Sequence, residues 1–475
     1  MRIKALATAM LFAGAVACDE TLTVAPTSEV AEDDAIVDAP SARAALAGAY
    51  DALQDGDYYG GDFLLYSDLL GEDVEHTGTF SDYAATDANR VLPENESLLS
   101  IWASIYEAVG IANRLIERVP DVPGMSQEDK DDVLGQAHFI RALAFHDLVK
   151  LWDDVPMPLT PLTVEEAAQV ERTPAAQVYT QILADITQAE QLIANSDDTR
   201  KATVAAATAL RSRVELFLGN YQSVIDAANS LEASFSLAPT YSDLFSAEGQ
   251  DTPEDIFRVS FTAVEFNNLG FFYISRSFGG RWETAPTFDL INTYGQSWDP
   301  TFDPDTVQTT DEDGNLLFNP ADPRAAWSIS FDASDRNYGT KIPTSVGAED
   351  VHVIRFGEVI LNKAEAYARL GGAANRTLAL TEVNRIRDRV GAPALNAAGA
   401  ALMTDQQVID LVLRERRLEL AMEGFRWPDL VRTGLAVSVM GAEASGANRV
   451  LPHELFLPIP QAEIDVSGIA QTNGY

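Results

Sequence analysis

The chain has 475 residues, 46% of them hydrophobic and 22% charged, a globular composition long enough for more than one ordinary domain. Its 33 basic and 72 acidic residues leave a net charge of −39. That charge excludes nucleic acid as a partner, because phosphate recognition needs a basic footprint, and it disfavours any polyanionic ligand lacking a local basic pocket.

The first 18 residues read "MRIKALATAMLFAGAVAC". Arg2 and Lys4 form a short basic region, and Ala5 to Val16 form an apolar one, too short to span a bilayer as a mature helix. Small residues precede Cys18, the single cysteine of the chain. The pattern is that of a bacterial lipoprotein signal: residues 1–17 are removed and Cys18 is lipidated, although Ala15 stands where a larger residue is usual. Residues 18–34 then form an acidic tether without helical periodicity, so the mature chain is anchored to a membrane and does not span it.

A first helix is predicted from Ser41 to Gln54. In "LLSIWASIYEAVGIANRLIERV", Leu98, Trp102, Ile105, Val109, Ala112 and Ile116 recur at helical spacing, and Pro120 and Pro123 end the run. "DKDDVLGQAHFIRALAFHDLVKLW" is the next helix, closed by "DDVPMP", and Pro174 opens "PAAQVYTQILADITQAEQLI", as a proline does in a first turn. "ATALRSRVELFLGNYQSVIDAANSLEA" reads as two helices broken at Gly219-Asn220. "VILNKAEAYARLGGAANRTLALTEVNRIRDRVG" repeats that layout around Gly371-Gly372. The shared grammar predicts a mainly α fold, a tetratricopeptide-like helical-repeat scaffold. Between about Tyr241 and Val351 the period fades, and glycine, proline and aromatics rise. There "DIFRVSF" and "LGFFYIS" read as strands and "TTDEDGNLLF" as a hairpin. The expected organisation is an N-terminal helical region over 35–240, an insertion of loops and short strands over 241–350, and a C-terminal helical region over 351–475.

"LRERRLELAMEGFRWPDLVR" tests whether the chain is an enzyme. On a helix, Glu415, Glu419 and Glu423 fall in one row beside an apolar stripe containing Val408 and Val412. Like charges at that spacing repel, and buried carboxylates need cations. Arg355 and the arginines of "NRIRDRV", Arg385, Arg387 and Arg389, can supply them, so the row reads as structural ion pairing. Gly424 ends the helix and Pro428 blocks its continuation. No metal motif is present: the five histidines form no close pair, and "TDEDGN" fails as a calcium loop because Thr309 and Pro320 occupy its first and last ligand positions. Neither a nucleophile elbow nor a phosphate-binding loop occurs. We therefore assign no catalytic residue, metal ligand or cofactor.

Several stretches resemble the SusD/RagB family of outer-membrane lipoproteins. "AHFIRALAFHDLVKLWDDVPM" is similar to the family's Arg-Ala helix and the segment after it, with Asp153 where glycine is usual. "IRFGEVILNKAEAYARLG" resembles its Arg-x-x-Glu helix through Arg355, Glu358, Leu361, Ala364, Glu365 and Ala366. "VNRIRDRVG", "RERRLELAMEGFRWPDLVRTG" and the "LPIP…NGY" ending follow in the family's order. The resemblance implies a non-catalytic protein on the outer face of the cell outer membrane. Such a protein captures an oligosaccharide, sometimes a peptide, and delivers it to a SusC-like TonB-dependent transporter. The alternatives are a helical scaffold that binds only protein partners and, less favoured, a surface hydrolase.

Family motifs do not carry the ligand contacts. Sugars stack on aromatic rings and are gripped by planar polar side chains. Two loop stretches offer that mixture: "EDVEHTGTFSDYAATDANR", with Asp73, Phe80, Tyr83 and Arg90, and "FFYISRSFGGRWET", with Tyr273, Arg281 and Trp282.

Overall fold

The computed structural model describes residues 36–246, 251–298, 309–310, 316–317, 322–332, 334, 336–442 and 450–475. The expected signal peptide, Cys18 and the expected tether lie outside the described residues, as does most of "TDEDGN".

The long helices start where capping side chains stand. In α1 (Ala39–Gln54) the Asp38 carboxylate accepts from the Ser41 N–H at 2.9 Å. Asn95, Ser126 and Thr203 do the same for α4 (Glu96–Arg118), α5 (Gln127–Trp152) and α7 (Val204–Phe217). Each such cap stabilises its helix by about 1 kcal/mol. Between α1 and α4 lie two short helices, α2 (Asp62–Leu69) and α3 (Ser81–Asp87). α6 (Ala175–Leu192) follows α5, and α8 (Tyr221–Leu231) follows α7 across Gly219, whose φ of +75° suits glycine. α4 buries Leu98, Trp102, Ile105, Val109 and Ala112, as their spacing predicts, and leaves Ile116 half-buried.

Sequential helices pack as neighbours: α1 on α4, α4 on α5, α5 on α6, α6 on α7, α7 on α8. α8 packs on α10 (Phe356–Leu370), and α10 packs on α11 (Ala373–Arg389) and α12 (Asp405–Glu419). This is the stacked helical-repeat scaffold that the sequence predicts. α9 (Phe288–Trp298) belongs to the insertion, and α13 (Arg426–Arg432) follows α12.

The insertion is clamped at its base by an antiparallel pair, β2 (Asp255–Val259) with β6 (Val351–Arg355). "DIFRVSF" is therefore a strand, as expected. "LGFFYIS" is not: it forms a short helix, Leu269–Tyr273. Leu269, Phe272 and Tyr273, at i, i+3 and i+4, go inward, while Phe271 stays at the surface. Three consecutive aromatics do not alternate, so strand periodicity was the wrong template. Thr309–Thr310 pairs with Leu316–Leu317, the hairpin expected there. A second hairpin joins β4 (Ile329–Asp332) to β5 (Arg336–Gly339). β1 (Val74–His76), from the N-terminal region, pairs with β3 (Thr284–Pro286) of the insertion.

All three carboxylates of the glutamate row are buried and ion-paired. Glu415 meets Arg324 and Arg387, each at 2.7 Å. Glu419 meets Arg355 at 2.7 Å and also Arg389. Glu423 meets Lys341 at 2.6 Å and Arg355 at 2.9 Å. Two details differ from the sequence reading. α12 ends at Glu419, and Glu423 reaches its partners from the following turn, where Met422 and Gly424 take positive φ. Arg385 turns away to Glu232 and Glu382, each at 2.7 Å. Pro428 sits in the first turn of α13, a position that needs no N–H donor.

Glu419→Gln leaves buried cations short of a partner. We expect a loss of about 3–5 kcal/mol of stability, read as a lower midpoint in chemical denaturation, with a native circular-dichroism spectrum at low temperature. Burial opposes ionisation of Glu365 and Glu423, but Arg432 beside the first and Arg355 beside the second hold both carboxyls down at about 2. The unfolded chain takes up these protons near pH 4.5. The stability they contribute is therefore complete above that pH and is lost as the pH falls toward 2. A urea titration series across this range checks the sign.

Asp153 has φ +64° and ψ −108°, a conformation that strains any residue except glycine. Asp153→Gly should raise stability by about 1 kcal/mol, visible as a higher Tm, after the extra chain entropy of glycine is subtracted.

Candidate functional site

The β1–β3 ladder brings the two candidate stretches together: His76 lies opposite Thr284, and the loops beyond them, 77–80 and 271–283, meet face to face. One carboxylate knits the loops. Glu283, buried at the end of its loop, accepts from the Thr79 N–H at 2.7 Å, from the Phe80 N–H, and from Arg281 Nε at 2.8 Å. His76 Nε2 lies 3.2 Å away. Gly78 is required here, since a Cβ would collide with that carboxylate. Burial pushes the Glu283 carboxyl up, and the Phe80 N–H with Arg281 and its other donors brings it below the usual range.

Above this knot lies a surface of rings and guanidiniums. The Arg281 guanidinium stacks 3.9 Å from the Phe80 ring centre. Phe80 and Phe271 are each 36% exposed and Phe278 is 60% exposed. Phe278 lies beside Tyr338 with ring centres 5.7 Å apart, and Arg276 stands over Trp282 at 5.2 Å. Trp282 is half-buried, has φ +51°, and donates from Nε1 to the Asn337 carbonyl at 2.9 Å. Its indole is thus fixed in place. A concentration of aromatic faces and planar cations on a fixed base suits a flat polar ligand with an apolar face.

The seven candidates divide. Phe80, Arg281 and Trp282 share this surface. Arg90 is exposed beyond α3. Asp73, Tyr83 and Tyr273 lie beneath it, 1%, 2% and 4% exposed. Tyr83 donates to Asp62, Tyr273 donates to Asp68 at 2.9 Å, and Asp73 pairs with Arg417. These three support the surface rather than form it, because they are buried, and the two hydroxyls and one oxygen of Asp73 are already engaged inward. Sequence reasoning missed Phe271, Phe278, Arg276 and Glu283. All four stand within the quoted stretch, but only the helical turn at Leu269–Tyr273 shows which ring points outward.

Two carboxylates, half-buried Asp62 and buried Asp68, bear on the hydrolase alternative. Burial raises Asp62 to about 6 and Asp68 to about 7, the range of a general acid. Asp68 is 1% exposed, however, and accepts from both the Tyr273 hydroxyl and the Gly424 N–H, so a substrate cannot reach it. Among the described residues, no cluster of three or more His, Cys, Asp or Glu could hold a metal, and no helix is long and apolar enough to cross a membrane.

Comparison with known proteins decides the family. Residues 333–475 match the model described as the SusD family. Residues 35–216 match the model described as "Starch-binding associating with outer membrane". The chain belongs to the SusD family. Among its relatives, SusD-like protein P38 of Formosa agariphila is 28% identical over 89% of this chain and 90% of its own length. SusD-like protein P25 of the same organism is 25% identical over 96% of each. A SusD superfamily protein from Bacteroides vulgatus superposes with a TM-score of 0.78 at 20% identity, over 92% of this chain and 99% of its own. A laminarin-binding SusD-like protein gives 0.74 at 22% identity, over 92% and 100%. A surface glycan-binding protein A from Bacteroides fluxus gives 0.74 at 20% identity, over 92% and 100%.

The two matched segments of this SusD-family chain hold most of its scaffold, with α8 lying between them. Its 271–283 loop lies between them, outside both. Glu283→Ala should strip the acceptor from the Thr79 and Phe80 amides. We expect a stability loss of about 1–3 kcal/mol and faster hydrogen exchange confined to 77–83 and 271–283. Asp68→Asn tests the buried acid. Asp68 holds its proton in the fold at a pH where the unfolded chain has lost it, so wild-type stability falls as the pH rises from about 4 to 7. The asparagine variant should show a flatter profile across that window.

Proposed function

We propose that this chain is a surface nutrient-binding lipoprotein that captures an oligosaccharide on the Phe80–Arg281–Trp282 surface, with Phe271 and Phe278 completing it. The observation that carries the reading is the exposed set of rings on a fixed base, in a fold whose relatives include a laminarin-binding and a surface glycan-binding protein. The lipid on Cys18 holds the protein at the outer membrane, consistent with the outer-membrane association in the description matched by residues 35–216. A lipoprotein on the outer leaflet forms no pore, so the captured sugar must pass to a barrel. A SusC-like TonB-dependent transporter is the partner we assign, and no catalytic step is required.

Phe271→Ala and Trp282→Ala should each weaken oligosaccharide binding by roughly 1–3 kcal/mol if the ring stacks on the ligand, without a change in Tm for Phe271→Ala. A glycan array followed by calorimetry measures this. Full affinity in the double variant would move the site elsewhere, and selective retention of peptides over glycans would change the ligand class. Cys18→Ala should release the protein from the membrane, since acyl chains contribute about 0.8 kcal/mol per buried methylene. Co-purification from detergent-solubilised outer membranes tests the transporter: recovery without any barrel would remove that assignment.

A further inference from the structure

A large cleft lies elsewhere in the described structure. It encloses about 680 Å³ between the outer face of α1, the N-terminal half of α5, the 200–201 loop and the end of β2. None of its lining residues belongs to the aromatic surface. Its volume lies in the range of small-molecule sites.

We infer that this cleft is a second binding site, for a neutral polyhydroxylated ligand of one or two sugar units. Three observations converge. The first is Gly48, in the middle of α1. It has ordinary helical φ, and a Cβ there would meet nothing within 4 Å. Neither conformation nor packing within the chain requires glycine, and alanine would favour the helix. The small residues Ala47 and Gly48 instead keep the cleft open.

The second is charge. The cleft is lined by Arg43, Arg200 and Lys201 and by Asp51, Asp129 and Asp132. The cations already have acidic neighbours: Arg43 with Asp129 at 3.0 Å, Arg200 with Asp350 at 2.8 Å, and Lys201 with Asp198 at 3.4 Å. Counting those partners, three cations stand among five acids, Asp51, Asp129, Asp132, Asp198 and Asp350, which disfavours an anionic ligand.

The third is the chemistry of the walls. Leu46, Val133 and Val259 are apolar. Tyr50 is fixed through its hydroxyl, which donates to Gln136 Oε1 at 2.6 Å and accepts from the Ala202 N–H at 2.8 Å. Gln136 in turn donates to Asp132 at 2.8 Å, and Gln54 donates to the Ser260 carbonyl. An apolar wall beside planar amide, carboxylate and guanidinium groups held by their own hydrogen bonds matches the apolar face and hydroxyl edge of a pyranose.

The site rests on the oligosaccharide reading above only in the choice of probes. The test is calorimetry on the mature chain with laminarihexaose and maltohexaose as neutral probes and hexagalacturonate as an anionic one. Gly48→Leu and Gly48→Met fill the cleft while improving the helix, so each should fold with an unchanged or raised Tm. Gly48→Ala is the small control. We expect a neutral probe to bind twice, the leucine and methionine variants to weaken one site at least tenfold, and Phe271→Ala to spare that site. A single site abolished by Phe271→Ala and untouched by Gly48→Leu overturns the cleft and leaves the aromatic surface standing. A single site abolished by Gly48→Leu and untouched by Phe271→Ala upholds the cleft and overturns the aromatic surface. Preference of the cleft for hexagalacturonate overturns its assigned ligand class, and binding of no probe overturns both sites.

Discussion

The guanidinium of Arg355 is the constraint on which the rest depends. It sits at the N-cap of α10 and reaches Glu254 and Glu419 at 2.7 Å and Glu423 at 2.9 Å. These three carboxylates come from the base of the insertion, the end of α12 and the turn beyond it. Each ion would be strongly unfavourable alone in the interior, so the cluster is tolerable only when complete. Arg389 from α11 and Lys341 and Arg324 from the insertion complete it. Helices α10, α11 and α12 and both flanks of the insertion must therefore assemble in one register. A shift of any one of them strands a buried charge.

The same frame carries the aromatic surface. Two residues before Glu419, Arg417 holds Asp73, and Arg426 of α13 holds Glu72. The next residue, Val74, opens β1, which pairs with β3, and β3 begins directly after Glu283. From the other side, the Gly424 N–H binds Asp68, which binds the Tyr273 hydroxyl beneath Phe271 and Phe272. The exposed rings thus stand two or three contacts from the buried charges. Asp73 and Tyr273 attracted notice in the sequence as sugar contacts because an acid and a tyrosine among aromatics suit that role. They belong to the supporting frame instead, and only their burial separates the two roles.

Much of the fold was legible because it obeys periodicity. The α4 stripe and the glycine breaks at Gly219 and Gly371 place helices without tertiary information. The charged family hallmarks were legible as a pattern but not as a purpose: Arg141 clamps Asp185, Glu358 clamps Arg213, and Glu365 clamps Arg432. Arg387 and Arg389 were assigned to the glutamate row correctly, and Arg385 was not: Glu232 and Glu382 stand nearer and take its guanidinium. Arg324 and Glu254 could not be found at all. They join the network from an insertion whose loops have no period, so sequence offers no vector for them. Phe271 was hidden for a related reason: in an unbroken aromatic run, one short helical turn rather than residue type decides which ring is exposed.

This division of labour also explains the charge. Many of the arginines in the C-terminal half are consumed by buried pairs: Arg324, Arg355, Arg387, Arg389, Arg416 and Arg432 are all nearly inaccessible and all hold carboxylates or amides. With 72 acids against 33 basic residues, cations spent inside leave the exterior more acidic still. Such an exterior gives no long-range attraction for an anionic nutrient and a screened repulsion that salt would modulate. Recognition must then come from short-range contacts that ignore net charge, namely rings and fixed planar polar groups. The surface at Phe80 and Arg281 and the cleft beside Gly48 both have that character. A frame built from buried ion pairs therefore constrains the ligand as well as the fold, because it uses up the cations that an anion-binding site would need.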